Sequence, residues 1–439
     1  MTQTQSAPPA TWSPPAQQTA PPANQPPGSP AARGPIARWF DGTPGRMRAF
    51  LILAAAMSVV FGLAAAQGFR QSDGALTRAE ANAAQLVRIQ AIHTNLVSAN
   101  ADATNAFLVG GLEPPAQRQH FVDSLAEAAR LIAEAATAQP ADQDALGALN
   151  QTLITYDGLI EQARANNRQG LPIGSQYLRD ANAVLQNDSL PLVKALVQAN
   201  EERVDTEFDG IGRGNLWVVI AGLLTLVVFV ITLRWLARRT HRYLNVPIAA
   251  GAVLVLLTVL IGGVALSSAA GKADDTRTGA YDQTLALSRA RIAAYDARSN
   301  ESLTLIARGS GDAFDKAYKA SAGSVVEQLG KLNEGGLRSQ WTDYDQVHKS
   351  VRGLDAKGDW DGAVALAVGK APAANSVTTF TAFDTSSSDR LKATSGEVST
   401  RLTDARDGLP PIGWLGLPIG IAAALLVAWG MSQRLEEYR

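Results

Sequence analysis

The stretch that decides the fold is "LVRIQAIHTNLVSANADATNAF", residues 86–107. Leu86, Ile89, His93, Leu96, Asn100, Ala103 and Phe107 fall at alternating steps of three and four, the period of one helix face. A second stretch, "LALSRARIAAYDARSNESLTLI" at 285–306, carries the same spacing on Leu285, Ser288, Ile292, Tyr295, Ser299, Ser302 and Ile306. One offset of 199 maps the first list onto the second without a gap. The same offset takes Gly110 to Gly309, where each helix stops, and Ala49 to Ile248, where the preceding apolar run begins. Shared register, stop and start read as a tandem repeat of span, ectodomain and span.

Working outward, four apolar runs flank these segments, and they predict transmembrane helices at 47–69, 215–233, 248–270 and 412–431. Each is about 20 residues long, enough to cross a hydrocarbon core of about 30 Å. The first is read as a retained span, since the 46 residues ahead of it far exceed a signal-peptide n-region. Arg33, Arg38, Arg46 and Arg48 precede it, Arg434 and Arg439 follow the last run, and "RWLARRTHRYLNVP" (234–247) joins the middle two. The positive-inside rule then puts both termini and this basic loop in the cytoplasm. Residues 70–214 and 271–411 fall outside the cell membrane. The Pro-, Ala- and Gln-rich segment 1–46 reads as a disordered cytoplasmic tail, and 432–439 as a short cytoplasmic C-terminus.

Turn signals divide each ectodomain into four helices. "GGLEPP" (110–115), "QPAD" (139–142) and "GLPIG" (170–174) break the first; "GSGD" (309–312), "NEGG" (333–336) and "KGDW" (357–360) break the second. Pro191 and Pro372 are expected to interrupt the fourth helices. Short loops make neighbours antiparallel, so the fold class is all-α: an integral membrane protein with two extracytoplasmic up-down-up-down four-helix bundles.

The residues offer little chemistry. The 439-residue chain has a net charge of −1, four histidines and no cysteine. That excludes thiolate catalysis, thiolate metal sites and a globally basic nucleic-acid binder. No metalloprotease, phosphate-loop, hydrolase or kinase motif occurs, so no enzyme activity, cofactor or metal is expected. His93 and Asn100 lie on the seam one heptad apart and read as buried polar layers that set register. The polar tip of helix three, Arg164, Asn166, Asn167, Arg168 and Gln169, is the candidate partner-binding surface, although cations there also complement a helix C-terminus. Arg238, Arg239 and Arg242 of the basic loop are candidate cytoplasmic output contacts, beside their plainer role in topology. Ser58, Gly62 and Ala66 in the first span, and Gly416 and Gly420 in the last, have the spacing of close helix packing in membranes.

The arrangement resembles the sensor bundles of bacterial chemoreceptors, which work as dimers; here one chain supplies both halves, like a fused dimer. Pro-rich tail, four spans, two helical ectodomains and the text "YDGLIEQARANNRQGLPIGSQYLRDA" (156–181) together resemble the actinobacterial GlnX family. The resemblance implies a cell-membrane signal transducer. Its partners would be a GlnH-like amino-acid-binding lipoprotein outside and a PknG-like serine/threonine kinase inside, linked to aspartate or glutamate status. An accessory subunit of an envelope transport or secretion complex, and a direct small-molecule receptor, stay open as alternatives.

Overall fold

The computed structural model describes residues 42–109, 112–240, 245–332, 334–370 and 374–436. Residues 1–41 of the Pro-rich tail, Gly110, His241, Arg242, Pro372 and the terminal residues 437–439 lie outside the described residues. Among the described residues every regular element is helical.

Four helical runs are long and apolar enough to cross a membrane: Pro44–Val109, Ile173–Arg239, Val246–Ile306 and Ser376–Gln433. Each carries its apolar window at one end and a more polar stem at the other. The first is a single helix, α1 (Gly42–Val109), of 68 residues, about 100 Å long at 1.5 Å per residue. After "GGLEPP", α2 (Pro115–Ala138) starts with proline at its first position, where the missing N–H costs nothing. It buries Phe121, Ala128, Leu131, Ile132 and Ala135, an apolar stripe at helical spacing. One 3₁₀ turn, Pro140–Asp142, leads to α3 (Gln143–Arg168).

The way back to the membrane is α4 (Ile173–Val184), a π-helical turn (Leu185–Ser189), α5 (Leu190–Ile211) and α6 (Arg213–Thr240). The π turn ends one residue before Leu190-Pro191. Proline has no N–H to continue an α-helical ladder, and widening the preceding turn accommodates it without a break.

The second half repeats this plan with differences. α7 (Val246–Thr276) runs through a second π turn (Arg277–Tyr281) into α8 (Asp282–Ile306). α9 (Asp312–Gly330) and α10 (Gly335–Ala356) follow. The expected fourth helix is two helices: a short α11 (Trp360–Ala367), then α12 (Ser376–Asp407), which starts at a capping box between Asn375 and Thr378. The chain ends in α13 (Ile412–Glu436).

In the apolar layer, α1 packs on α6 and α13, and α7 packs on the same two, so α1 and α7 stand on a diagonal. The two small-residue motifs meet face to face. A Cβ on Gly62 would lie 2.7 Å from the carbonyl oxygen of Gly416, and one on Gly420 would lie 2.5 Å from that of Ser58. Outward from this core, Leu53, Leu63, Leu224, Val230, Leu260 and Leu425 are exposed, a surface suited to lipid rather than water. Trp217 and Trp414 open spans two and four while Trp429 and Trp235 lie near their far ends, the placing of aromatic belts.

Above the spans, four stems share a narrow core of Ala75, Ala79 and Leu86 on α1, Val204 and Phe208 on α5, Ala273 and Leu285 of the third run, and Leu402 on α12. Ion pairs tie them laterally: Arg78 to Glu207 at 2.8 Å and Arg277 to Asp205 at 2.7 Å. Farther out, the core is not divided between the halves. Ile89, Leu96, Tyr156 and Leu196 belong to one hydrophobic cluster with Ala290, Tyr295, Tyr344 and Phe380.

Candidate functional site

The repeat offset becomes a physical contact at one point. Asn100 donates from Nδ2 to the hydroxyl of Ser299 at 2.8 Å, and these residues are 199 apart. In a two-fold interface, a residue touches its own counterpart only beside the axis. Asn100 and Ser299 therefore mark a pseudo-two-fold axis between α1 and α8. Asn100 also donates to Asn182 Oδ1 at 3.0 Å and accepts from the Tyr156 hydroxyl at 3.2 Å. Both residues of the pair are buried, and their satisfied bonds fix one register of the halves.

The same offset relates two buried acids. Asp102 and Glu301 are counterparts, and each carries a histidine. His120 Nδ1 lies 2.5 Å from Asp102 Oδ2, and His348 Nδ1 lies 2.7 Å from Glu301 Oε2. The histidines come from different helices, α2 and α10, so only the acids share the register. The bond to Asp102 raises the His120 imidazole above its usual range. His348 is buried beneath the stacked ring of Tyr318, with centroids 3.4 Å apart.

Two turns below the axis, on the membrane side, a cleft of about 640 Å³ opens between the halves. α1 contributes Gln90 and His93, α5 contributes Lys194 and Glu201, and α8 contributes Arg289 and Asp296. Gln90 is 2% exposed and neither its Nε2 nor its Oε1 has a partner; the His93 Nε2, in a residue 6% exposed, has none either. Burial, with the positive charge of Lys194 nearby, brings the His93 imidazole down to about 4. Burial likewise pushes the Asp296 carboxyl up to about 6, against the opposing pull of Lys194 and the Gln186 amide. Among the described residues, no group of three or more His, Asp and Glu side chains is placed to hold a metal.

The residues singled out at the tip of helix three separate into two sets. Arg164 is turned inward: its guanidinium bonds Glu113 and Glu161, each at 3.1 Å, and lies 4.0 Å over the Phe121 ring. Asn166 donates to the Gln162 carbonyl and Asn167 to that of Phe107. Arg168 and Gln169 are exposed, next to the exposed Leu112, Leu171 and Ile173. At the opposite end of the molecule, Arg238 and Arg239 are exposed in the last turn of α6, where cations complement the helix dipole; Arg242 lies outside the described residues.

Four apolar helices continuous with packed polar stems, and a buried polar layer between the two halves, define a multi-pass membrane protein with a helical sensing module. Residues 75–209 match the family model of the actinobacterial sensor domain. The matched segment runs from the stem of α1 almost to the end of α5. It supports an actinobacterial sensor protein with a role in sensing or signalling. No curated protein and no solved structure matches the chain.

Proposed function

We propose that this chain is a non-enzymatic transducer of the bacterial cell membrane, with both termini cytoplasmic and both helical modules outside. It relays aspartate or glutamate status from a GlnH-like lipoprotein to a PknG-like serine/threonine kinase. The observation that carries the reading is the continuity of α1, one helix from Met47 through the axis residue Asn100. A shift between the halves at Asn100–Ser299 has no loop in α1 to absorb it before the far side of the membrane. Such a contact has two packed arrangements available rather than a continuum, so a bound partner biases one of them.

The surface formed by Arg168 and Gln169 with Leu112, Leu171 and Ile173 is the proposed lipoprotein dock, with Arg164, Asn166 and Asn167 supporting it from beneath. Arg238, Arg239 and Arg242 are the proposed kinase-side contacts. The test is quantitative phosphoproteomics of a strain lacking the chain. Loss of the glutamate-dependent change in kinase-substrate phosphorylation is expected; an unchanged response would sink the relay.

A further inference from the structure

The cleft beside the axis has the chemistry of a ligand site. α5 runs towards the membrane and α8 away from it, so equal steps along each stay opposite one another. Arg289 of α8 and Glu201 of α5 form an ion pair between the halves. One heptad further from the membrane on each helix stand Lys194 and Asp296, a second pair of opposite charges in the same register. Among the described residues no ion pair joins this second rung; both residues line the cleft, and the Asp296 carboxyl feels the Lys194 charge and the Gln186 amide. Gln90 and His93, whose buried side-chain atoms Nε2 and Oε1 of the first and Nε2 of the second lack partners, line the same cleft. A buried amide or imidazole nitrogen without a partner is costly, and a volume of about 640 Å³ lies within the range of small-molecule sites.

We infer that this cleft binds a small zwitterion of the amino-acid type, whose carboxylate meets Lys194 and whose ammonium meets Asp296. The charges match one to one: Glu201 and Arg289 already neutralise each other, which leaves one cation and one anion for the ligand. Gln90, Gln186 and the His93 Nε2 supply the neutral hydrogen bonds that orient it. The charged faces belong to one side of the pseudo-axis, since the offset of 199 places the apolar Val97 opposite the position of Asp296. One ligand per chain follows. Bound there, it completes the open rung and ties α5 of the first half to α8 of the second.

The inference rests on reading the chain as a sensor, but not on the lipoprotein or the kinase. The experiment is isothermal titration of the full chain in lipid nanodiscs with each of the twenty free amino acids, and with the N-acetyl and amide forms of any that bind. Binding of at least one free amino acid near one per chain is expected, weakened at least tenfold by blocking either end. K194Q and D296N should each weaken it at least tenfold while each unliganded variant still unfolds in one cooperative transition. No heat with any amino acid overturns the inference, as does undiminished binding to both variants or to both blocked forms. Binding that survives when phosphorylation no longer depends on the chain would overturn the relay and leave this site standing.

Discussion

Asn100 is the residue on which the two halves are registered, and its three partners make it costly to replace. N100A leaves Asn182, Ser299 and Tyr156 short of a bond inside the core. A loss of about 1–3 kcal/mol is expected for such unsatisfied buried groups, read as a lower melting temperature, while unchanged melting would contradict the assigned role. Arg164 behaves as a core residue for the same kind of reason: R164A should lower the melting temperature, whereas R168A should leave it unchanged and weaken only partner capture. Two titrating residues in the cleft pull stability in opposite directions. Folded His93 stays neutral down to about 4, against an ordinary 6.5, so acid below 6.5 favours the unfolded chain. Folded Asp296 keeps its proton up to about 6, against an ordinary 3.8, so rising pH across that window favours the unfolded chain. Between about pH 4 and 6 the trends offset. In H93Q, melting should therefore fall as pH rises through this window; in D296N it should climb. Equal slopes in both variants would show that the cleft does not hold these groups as described. The buried places of His93 and Asn100 were legible from heptad spacing alone. The inward turn of Arg164 was not, because Glu113 and Phe121 reach it from other elements.

Among the elements, the contact between α1 and α13 depends on the absence of side chains. Gly62, Gly416 and Gly420 sit so close to the facing helix that a Cβ on any of the three meets its backbone. G62L and G420L should each push the helices apart and cost about 1–3 kcal/mol, as overpacking does; melting equal to wild type would refute the close approach. The sequence carried both motifs but not their pairing, since small-residue spacing fixes a face and not the helix it meets. The π turn before Pro191 was hidden for a related reason. A proline announces a disturbance, but whether the helix kinks, breaks or widens is settled by what it packs against. The last stem is divided differently: α11 ends at Ala367, and Asn375 and Thr378 cap a new helix, α12.

At the scale of the whole molecule, the all-helical class and the four membrane-length helices were readable because hydrophobicity is a property of single segments. The cleft was not, because Gln90, Lys194 and Asp296 are distant in sequence and only the packing of α1, α5 and α8 brings them together. The proposed orientation predicts that a membrane-impermeant maleimide labels L112C on intact cells and leaves R238C untouched; the reverse pattern would invert the topology. The native chain has no cysteine, so introduced pairs report cleanly. In the proposed relay, signal passes by relative movement of the halves at the axis. Its most direct test is the glutamate-dependent phosphorylation response of cells carrying the N100C/S299C chain, oxidised and then reduced. A crosslinked chain with a frozen response that reductant restores is predicted; a full response from fully crosslinked chain would contradict it.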